Sequence, residues 1–231
     1  MYYGLINSMK RASATPSYPS SLKLFIDAGN PLSYSGSGTT VTDLIGTQNA
    51  TLINGVGYST SNGGYFTMNG TNQYVDLSNN TAIRPTLART ISGWFYINSG
   101  VGMLYSDGNL NANKDTVTFW QDSSLFYTVI GNSVTAQTKT STKLANATWV
   151  YVTLRFNGTN LELYFNNVLQ YSILQTVIPT NSSTIPAKIG TYDSTGYFLN
   201  GRCSMLKIFN EYRSTGDMTT DFNEFKTRYG Y

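Results

Sequence analysis

The sequence contains no histidine and a single cysteine, Cys203. One cysteine cannot form an intramolecular disulfide, and without histidine it offers too few ligands for a structural zinc site. The absence of histidine also excludes a Ser-His-Asp or Cys-His catalytic device. Composition therefore removes disulfide cross-links, structural zinc and the commonest nucleophilic mechanisms from consideration.

Charge is scarce as well. Charged residues make up 12% of the chain, against about 25% in a typical soluble domain. The formal net charge is +3 and no basic cluster exceeds the pair Lys10-Arg11, which argues against nucleic acid as a partner. No apolar run approaches the ~20 residues of a membrane span, and no apolar stretch follows Lys10-Arg11 as in a secretory signal. We expect neither a nucleic acid nor a membrane partner, and folding in a reducing cytoplasm.

The clearest pattern present is a pair of alternating segments around Asn157-Gly158, a dipeptide that suits the turn between antiparallel strands. The apolar residues of each segment share one face: Val150, Val152, Leu154 and Phe156 on the first, and Leu161, Leu163 and Phe165 on the second. A turn at Asn166-Asn167 leads to a third strand at 168–174. The meander thus has an apolar face that must be buried against a second sheet.

Other strands recur every eight to twelve residues, with Gly, Asn, Ser and Thr between them. They are predicted at 22–28, 51–53, 64–68, 73–77, 90–97, 102–106, 116–121, 125–130, 134–139, 187–190 and 198–209. The fold class predicted is all-β, a two-sheet antiparallel jelly-roll sandwich with one short C-terminal helix. A chain of 231 residues can form a single core of this type.

The two ends depart from the strand pattern. Residues 1–21 show no alternation, so the sequence divides into an N-terminal arm, 1–21, and a jelly-roll domain, 22–231. Near the C-terminus the apolar residues recur at helical spacing: Met218, Phe222, Phe225 and Tyr229. Ser214 and Asp217 have the spacing of a capping box, and Gly230 is a helix stop. We interpret this helix as a structural lid on the sandwich.

Segments 90–97, 149–152, 161–167, 198–202 and 206–210 together resemble the laminin-G-like branch of the concanavalin A-like jelly rolls. A narrower similarity lies at the two ends. Residues 24–46 and 222–230 resemble segments of laminin-G-like structural proteins of tailed bacteriophages. The resemblance implies a jelly roll in a virion protein of the head or tail, as a decoration or fibre component.

The same superfamily includes endoglycosidases that carry three acidic residues on one strand, as E-x-D-x-x-E. Retaining hydrolysis needs two carboxyl groups about 5 Å apart. Glu162 lies on a predicted strand, but Tyr164 and Asn167 stand where the partner acids would be. We therefore expect a protein that is not an enzyme.

Many laminin-G-like domains bind calcium, with Asp at the position of Gln73 and an acidic pair near Cys203-Ser204; this chain is neutral at both places. A weaker candidate is a segment with Asx at alternate positions: Asp107, Asn109, Asn111 and Asp115. It lacks the glycine and the closing glutamate of an EF-hand loop. The expectation is no cofactor, with calcium as the weaker alternative and an Asx-rich turn as the structural interpretation.

Aromatic residues suggest a different kind of site, because sugars stack on aromatic rings while Asn and Asp bond their hydroxyl groups. Five rings fall near predicted strand ends or loops and are candidate ligand-binding residues: Tyr34, Tyr105, Trp120, Tyr192 and Tyr197. Trp94 and Trp149 lie inside strongly alternating strands and are interpreted as packing residues.

The first hypothesis is a non-enzymatic phage virion protein, assembled in the host cytoplasm and displayed on the particle surface. Its partners would be other virion proteins and copies of itself. The rival is a glycan-binding adhesin or receptor-binding module, and a glycosidase is the remote alternative. In the first hypothesis the arm is the anchor: its apolar residues bury against another chain and its two cations meet acidic groups (Tyr2, Tyr3, Leu5, Ile6, Lys10 and Arg11).

Overall fold

The computed structural model describes residues 17–46, 48–84, 87–108, 116–132, 134–180, 183–194 and 196–231. Two eight-stranded antiparallel sheets pack face to face, which confirms the predicted all-β sandwich. The six arm residues singled out above lie outside the described ranges. Within those ranges, no helix is long and apolar enough to span a membrane.

The strands in chain order are β1 (Leu22–Asp27), β2 (Thr40–Val41), β3 (Ala50–Ile53), β4 (Gly57–Ser59), β5 (Tyr65–Asn69), β6 (Tyr74–Asp76), β7 (Arg89–Ile97), β8 (Gly102–Ser106), β9 (Thr116–Gln121), β10 (Leu125–Gly131), β11 (Ala136–Thr142), β12 (Trp149–Phe156), β13 (Asn160–Phe165), β14 (Val168–Leu174), β15 (Lys188–Ile189) and β16 (Asn200–Phe209). One α-helix, α1 (Thr215–Phe225), follows β16, and short 3-10 helices occupy Ser61–Gly63, Thr81–Ile83 and Lys226–Tyr229.

Sheet 1 has the order β14-β13-β12-β7-β16-β5-β4, and β1 also pairs with β16. The first half of β16 pairs with β5 and the second half with β1, while β7 lies along its other side. Sheet 2 has the order β11-β10-β9-β8-β15-β6-β3-β2. Strands distant in sequence therefore lie side by side in both sheets, as in a jelly roll.

The central hairpin forms as the alternation predicts. Phe156 pairs with Leu161 across a loop in which Gly158 has a φ of 84°. The Asn157 side chain accepts hydrogen bonds from the backbone N–H groups of Thr159 and Asn160, at 2.9 and 2.8 Å. These bonds replace the ladder contacts that the chain loses as it reverses. The apolar residues predicted to share a face all lie in or against the core between the sheets.

A second apolar cluster lies on the opposite surface of sheet 1, beneath α1 and the 3-10 helix that follows it. Trp94 is fully buried there, with its ring 4.0 Å from that of Tyr229 and 5.7 Å from that of Phe222. Trp149 and Phe225 belong to the same cluster. The predicted lid and the packing roles of both tryptophans are confirmed.

The helix begins and is held in place through polar groups. The Ser214 hydroxyl accepts from the Asp217 N–H at 3.1 Å and donates to the Asp217 carboxylate at 2.7 Å, as the capping-box spacing predicts. From β16 the buried Lys207 ammonium reaches Asp221 and Glu224 of the helix, each at 3.1 Å. Gly230 ends the segment with a φ of 85°.

The fold differs from the sequence prediction most clearly at β2, β4 and β11. Strands β2 and β4, of two and three residues, are too short to show an alternation that can be recognised. Strand β11 begins two residues later than predicted and ends three residues later. Its residues are mostly polar on both faces, so its pattern carries little information about register.

Phe225→Ala tests the energetic role of the lid. Phe225 is buried against β1, with its ring 6.2 Å from that of Phe25. Truncation of a buried phenylalanine leaves a cavity, so we expect the free energy of unfolding to fall by about 3 kcal/mol in urea titrations. Asn223→Ala is the matched control on the exposed side of the same helix, with an expected change within about 0.5 kcal/mol. Equal effects of the two substitutions would contradict the packing role.

Candidate functional site

Two aromatic residues of sheet 2 stand together on its outer surface. Val117 and Phe119 of β9 point into the core, so alternation directs Trp120 to the other surface. The register of β9 and β10 places Tyr127 directly opposite Trp120. Their rings are parallel, with centroids 4.8 Å apart and an interplanar angle of 7°. Both side chains are partly exposed, and together they form a stacked pair that faces solvent.

The loop between β15 and β16 adds two more rings. Tyr197 is 54% exposed and its ring lies 6.4 Å from that of Trp120. Tyr192 lies 6.2 Å from Tyr197, edge to face, and is itself buried at 9% exposure, so it supports the Tyr197 ring from below. The Met103 N–H of β8 donates to the Tyr197 carbonyl at 2.9 Å and fixes the loop against the sheet. We call Trp120, Tyr127, Tyr192 and Tyr197 the aromatic row.

A carboxylate stands at the end of the aromatic row. The Tyr127 hydroxyl donates to Asp122 at 2.7 Å, and the backbone N–H groups of Leu125 and Ser124 donate to the same side chain at 2.8 and 2.7 Å. These three hydrogen bonds hold the pKa of Asp122 below its ordinary value, and the two bonds from the backbone have the larger effect. An ionised acceptor thus lies beside rings whose faces can stack on an apolar surface.

The other two candidate rings have a different environment. Tyr105 is fully buried, stacked at 5.6 Å on Phe119 in the core, and burial raises the pKa of its hydroxyl. Tyr34 is 5% exposed and its ring packs 5.1 Å from that of Phe66. Neither residue can offer a ring face to a ligand at the surface, which corrects the expectation at these two positions.

Tyr105 is buried because β8 contains a bulge between Met103 and Tyr105. A bulge inserts one residue and reverses the side to which later side chains point. Met103 pairs with Trp120, and regular alternation would have put Tyr105 on the same outer surface. Leu104 and Tyr105 instead both face the core.

Tyr127 was not among the sequence candidates, although it makes the closest contact with Trp120 in the aromatic row. The sequence does contain an indication of this contact, because the short polar segment Asp122-Ser123-Ser124 joins two predicted strands. Strands joined by so short a turn are neighbours, so residues at similar distances from the turn face each other.

Of the metal candidates, Asp107 is described, and Asn109, Asn111 and Asp115 lie outside the described residues. Asp107 is buried and forms an ion pair with Arg89. Its carboxylate also accepts from the Tyr105 hydroxyl at 3.3 Å and from the Val117 N–H. Among the described residues, no three Cys, Asp or Glu side chains are grouped so that they could hold a metal ion.

Glu162, the residue on which hydrolysis would depend, lies within a buried network on sheet 1. Its carboxylate accepts from Arg155 at 2.8 Å, Tyr164 at 2.7 Å and Ser172 at 2.9 Å. Burial raises its pKa, but the hydrogen bonds from Tyr164, Arg155 and Ser172 outweigh this effect and hold the pKa below its ordinary value. An ionised, fully bonded carboxylate is a structural group rather than a proton donor.

Glu162→Gln tests that assignment through pH dependence. Because the folded pKa lies below the unfolded value, ionised Glu162 stabilises the fold above about pH 4.5 and this contribution is lost as the pH falls through the folded pKa. We expect the Gln variant to be less stable at pH 7 by about 2–3 kcal/mol, because Arg155 loses its charge partner. Between pH 5 and 3, urea titrations should show a weaker loss of stability in the variant than in the native chain.

Tyr74→Phe serves as a control that removes a polar group elsewhere on a strand, and it should leave the pH profile unchanged. An unaltered profile in Glu162→Gln would contradict the structural assignment. So would turnover of a polysaccharide that disappears in this variant.

Comparison with known proteins agrees with this fold. The two antiparallel sheets and the C-terminal helix define a jelly-roll β-sandwich. The Laminin_G_3 family, described as concanavalin A-like lectin/glucanases superfamily, matches residues 69–217. This is more than half of the chain, so the chain belongs to that family. No curated protein matches it in sequence.

Several solved structures share the fold. The botulinum neurotoxin type C structure, described as needing two ganglioside molecules to enter cells, has a TM-score of 0.64 and 16% identity over 89% of this chain and 51% of its own. The binding domain of botulinum neurotoxin DC in complex with rat synaptotagmin II has a TM-score of 0.68 and 16% identity, covering 89% and 52%. A mutant sialidase from Trypanosoma rangeli with trans-sialidase activity has a TM-score of 0.67 and 15% identity, covering 91% and 34%.

The chain spans about half the length of the botulinum chains that it matches. Similarity at this level of identity shows the fold alone.

Proposed function

We propose that this chain is a non-enzymatic glycan-binding domain whose site is the aromatic row on the outer surface of sheet 2. The observation that carries the proposal is the parallel, partly exposed pair Trp120 and Tyr127 beside the ionised Asp122. Sugar rings have apolar faces that stack on aromatic rings, and their hydroxyl groups donate to carboxylates. The superfamily description, which names lectins and glucanases, and the ganglioside dependence of one structural neighbour support the glycan as the ligand.

The same proposal includes two further expectations: the domain catalyses no reaction, and it binds its ligand without a metal ion. Glu162, the acidic residue considered for hydrolysis, is bonded within sheet 1 to Arg155 and Tyr164. It therefore has no part in the aromatic row. Recognition by stacking and by one carboxylate does not require a bound cation. We expect neither hydrolysis of the bound glycan nor dependence on calcium.

Trp120→Ala is the direct test, with an array of bacterial surface oligosaccharides as the probe. Loss of the stacking face should weaken binding at least tenfold, or about 1.4 kcal/mol. Leu174→Ala is the matched control, because Leu174 is 66% exposed on the edge of sheet 1 and its truncation removes exposed apolar area elsewhere. EDTA should leave binding by the native chain unchanged.

Two results would contradict this account. One is native-level binding in Trp120→Ala. The other is binding that a chelator abolishes and calcium restores, which would move the site to the segment from Asp107 to Asp115.

A second candidate function places the domain on a bacteriophage particle, with residues 1–21 as its anchor. The two segments that resemble phage structural proteins pack against each other. The ring of Phe25 in β1 lies 6.2 Å from that of Phe225. Asp27 forms an ion pair with Arg228 at 2.9 Å. This contact between the two ends supports a shared structural unit, and in this proposal the domain displays its glycan site on the virion surface.

Deletion of residues 2–16 tests the anchoring role. The deletion keeps Tyr18, whose ring packs 5.7 Å from that of Phe25, so the contacts among the described residues are left in place. We expect the shortened chain to fold but to be lost from purified particles. Incorporation at the native level would contradict the anchoring role while leaving the glycan proposal intact.

A further inference from the structure

Arg202 of β16 lies on the outer surface of sheet 1, at the margin of the cluster beneath the lid. Its neighbour Cys203 faces the core, so alternation directs Arg202 outward. The guanidinium carbon of Arg202 is 4.2 Å from the ring centroid of Tyr96 on β7 and 4.8 Å from that of Tyr65 on β5. These two strands pair with β16 on either side. Rings from both sides therefore hold the partly exposed cation in place.

The N–H groups of this cation have no acceptor within the described part of the chain. Arg202 contacts its two rings and forms no ion pair or hydrogen bond with any described residue. The hydroxyl groups of Tyr65 and Tyr96 also bond to no described group. The other described arginines all donate to a carboxylate or to backbone carbonyls: Arg84, Arg89, Arg155, Arg213 and Arg228.

No acidic side chain of the chain is placed to pair with Arg202. Among the described residues none forms an ion pair with it, and Asp115 is the only acidic residue outside the described ranges. Asp115 directly precedes Thr116 of β9, which belongs to the other sheet of the sandwich. Residues 1–16 contain neither Asp nor Glu. An anionic partner for Arg202 must therefore come from another molecule.

The chemistry around Arg202 indicates which anion fits. A guanidinium group matches the two oxygens of a carboxylate or a phosphate. One cation neutralises a carboxylate but only part of the charge of a phosphate monoester. The next residues on the same surface are neutral: Asn98 of β7 donates to the side chain of Asn200 of β16 at 2.9 Å. Amide and phenol groups bond hydroxyl groups, so the surroundings suit a polyhydroxylated molecule with one carboxylate.

We propose that Arg202 binds the carboxylate of an acidic sugar, a uronic or sialic acid, on the outer surface of sheet 1. The two tyrosine hydroxyls and the asparagine pair bond the hydroxyl groups of that sugar. Because the rings already hold the guanidinium group, little side-chain freedom is lost on binding. The backbone of β16 is paired on both sides here, so a peptide cannot add a strand as it does at a sheet edge.

This site is separate from the aromatic row and does not depend on the function proposed above. The aromatic row lies on the other sheet and contains the ionised Asp122, which repels a carboxylate. We therefore expect a neutral glycan bound at the aromatic row to leave Arg202 unaffected.

NMR of the ¹⁵N-labelled full chain tests the site, with methyl β-D-glucuronide as the probe and methyl β-D-glucoside as its neutral counterpart. The Arg202 Nε–H resonance is identified by its loss in Arg202→Gln. We expect the glucuronide to shift this resonance and the glucoside to leave it unmoved. A parallel titration with the methyl glycoside of N-acetylneuraminic acid distinguishes uronic from sialic acids.

Two results would overturn the proposal. One is a resonance that neither acidic sugar moves. The other is an affinity for acetate equal to that for the sugars, which would mean that the site takes any carboxylate, such as an acidic side chain of a protein. Both results are read from Arg202 itself, whether or not Trp120 binds a glycan.

Binding constants of variants distinguish the guanidinium group from positive charge in general. Arg202→Gln should weaken binding of the acidic sugar about tenfold. Arg202→Lys keeps the charge but loses the planar pair of donors, so it should bind less tightly than the native chain and more tightly than Arg202→Gln. Lys143→Gln is the matched control, because it removes one exposed cation just after β11, and it should bind as the native chain does. Equal losses in Arg202→Gln and Lys143→Gln would contradict a specific site.

Discussion

The packing of the C-terminal segment on Trp94 decides which surface of this sandwich is available to a partner. Tyr229 and Phe222 stack on the Trp94 indole, at 4.0 and 5.7 Å, and Phe225 packs against β1. Sheet 1 is thereby buried on both surfaces in its centre, and all eight residues of β12 are buried. The centre of a sheet covered in this way cannot present side chains to a ligand, which supports the proposal that recognition takes place on the outer surface of sheet 2.

This chain has few charged residues, and several of them form ion pairs that stabilise the fold. Arg155 joins Glu162, Lys207 joins Asp221 and Arg228 joins Asp27, the last pair across 201 positions of sequence. Each pair holds strands or the helix together, and each is wholly or largely buried. Asp122 differs, since it lies beside the aromatic row and bonds Tyr127. The proposed recognition through rings and one carboxylate is in keeping with a chain of which only 12% is charged.

Much of the fold could be predicted because the signals are local. Alternation placed Val152 and Leu163 in the core, and helical spacing placed Phe225 beneath the lid. The site depends on the register between paired strands, which a local sequence pattern does not determine. A bulge in β8 turned Tyr105 inward, and the pairing of β9 with β10 brought Tyr127 to Trp120. The sequence therefore identified Trp120 as a candidate. It also suggested Tyr105 of β8, which is buried, and it did not suggest Tyr127, the nearest neighbour of Trp120.

The chain's three tryptophans give the most direct measurement of where a glycan binds. Trp94 and Trp149 are buried beneath the lid, and Trp120 belongs to the aromatic row. In ¹⁵N-labelled protein each indole N–H gives one resonance, and Trp120→Phe identifies the signal of Trp120. During titration with a glycan found on the array, the account predicts a shift of the Trp120 indole resonance while the other two stay fixed. Shifts confined to Trp94 or Trp149, or saturating binding that leaves the Trp120 resonance unmoved, would contradict it.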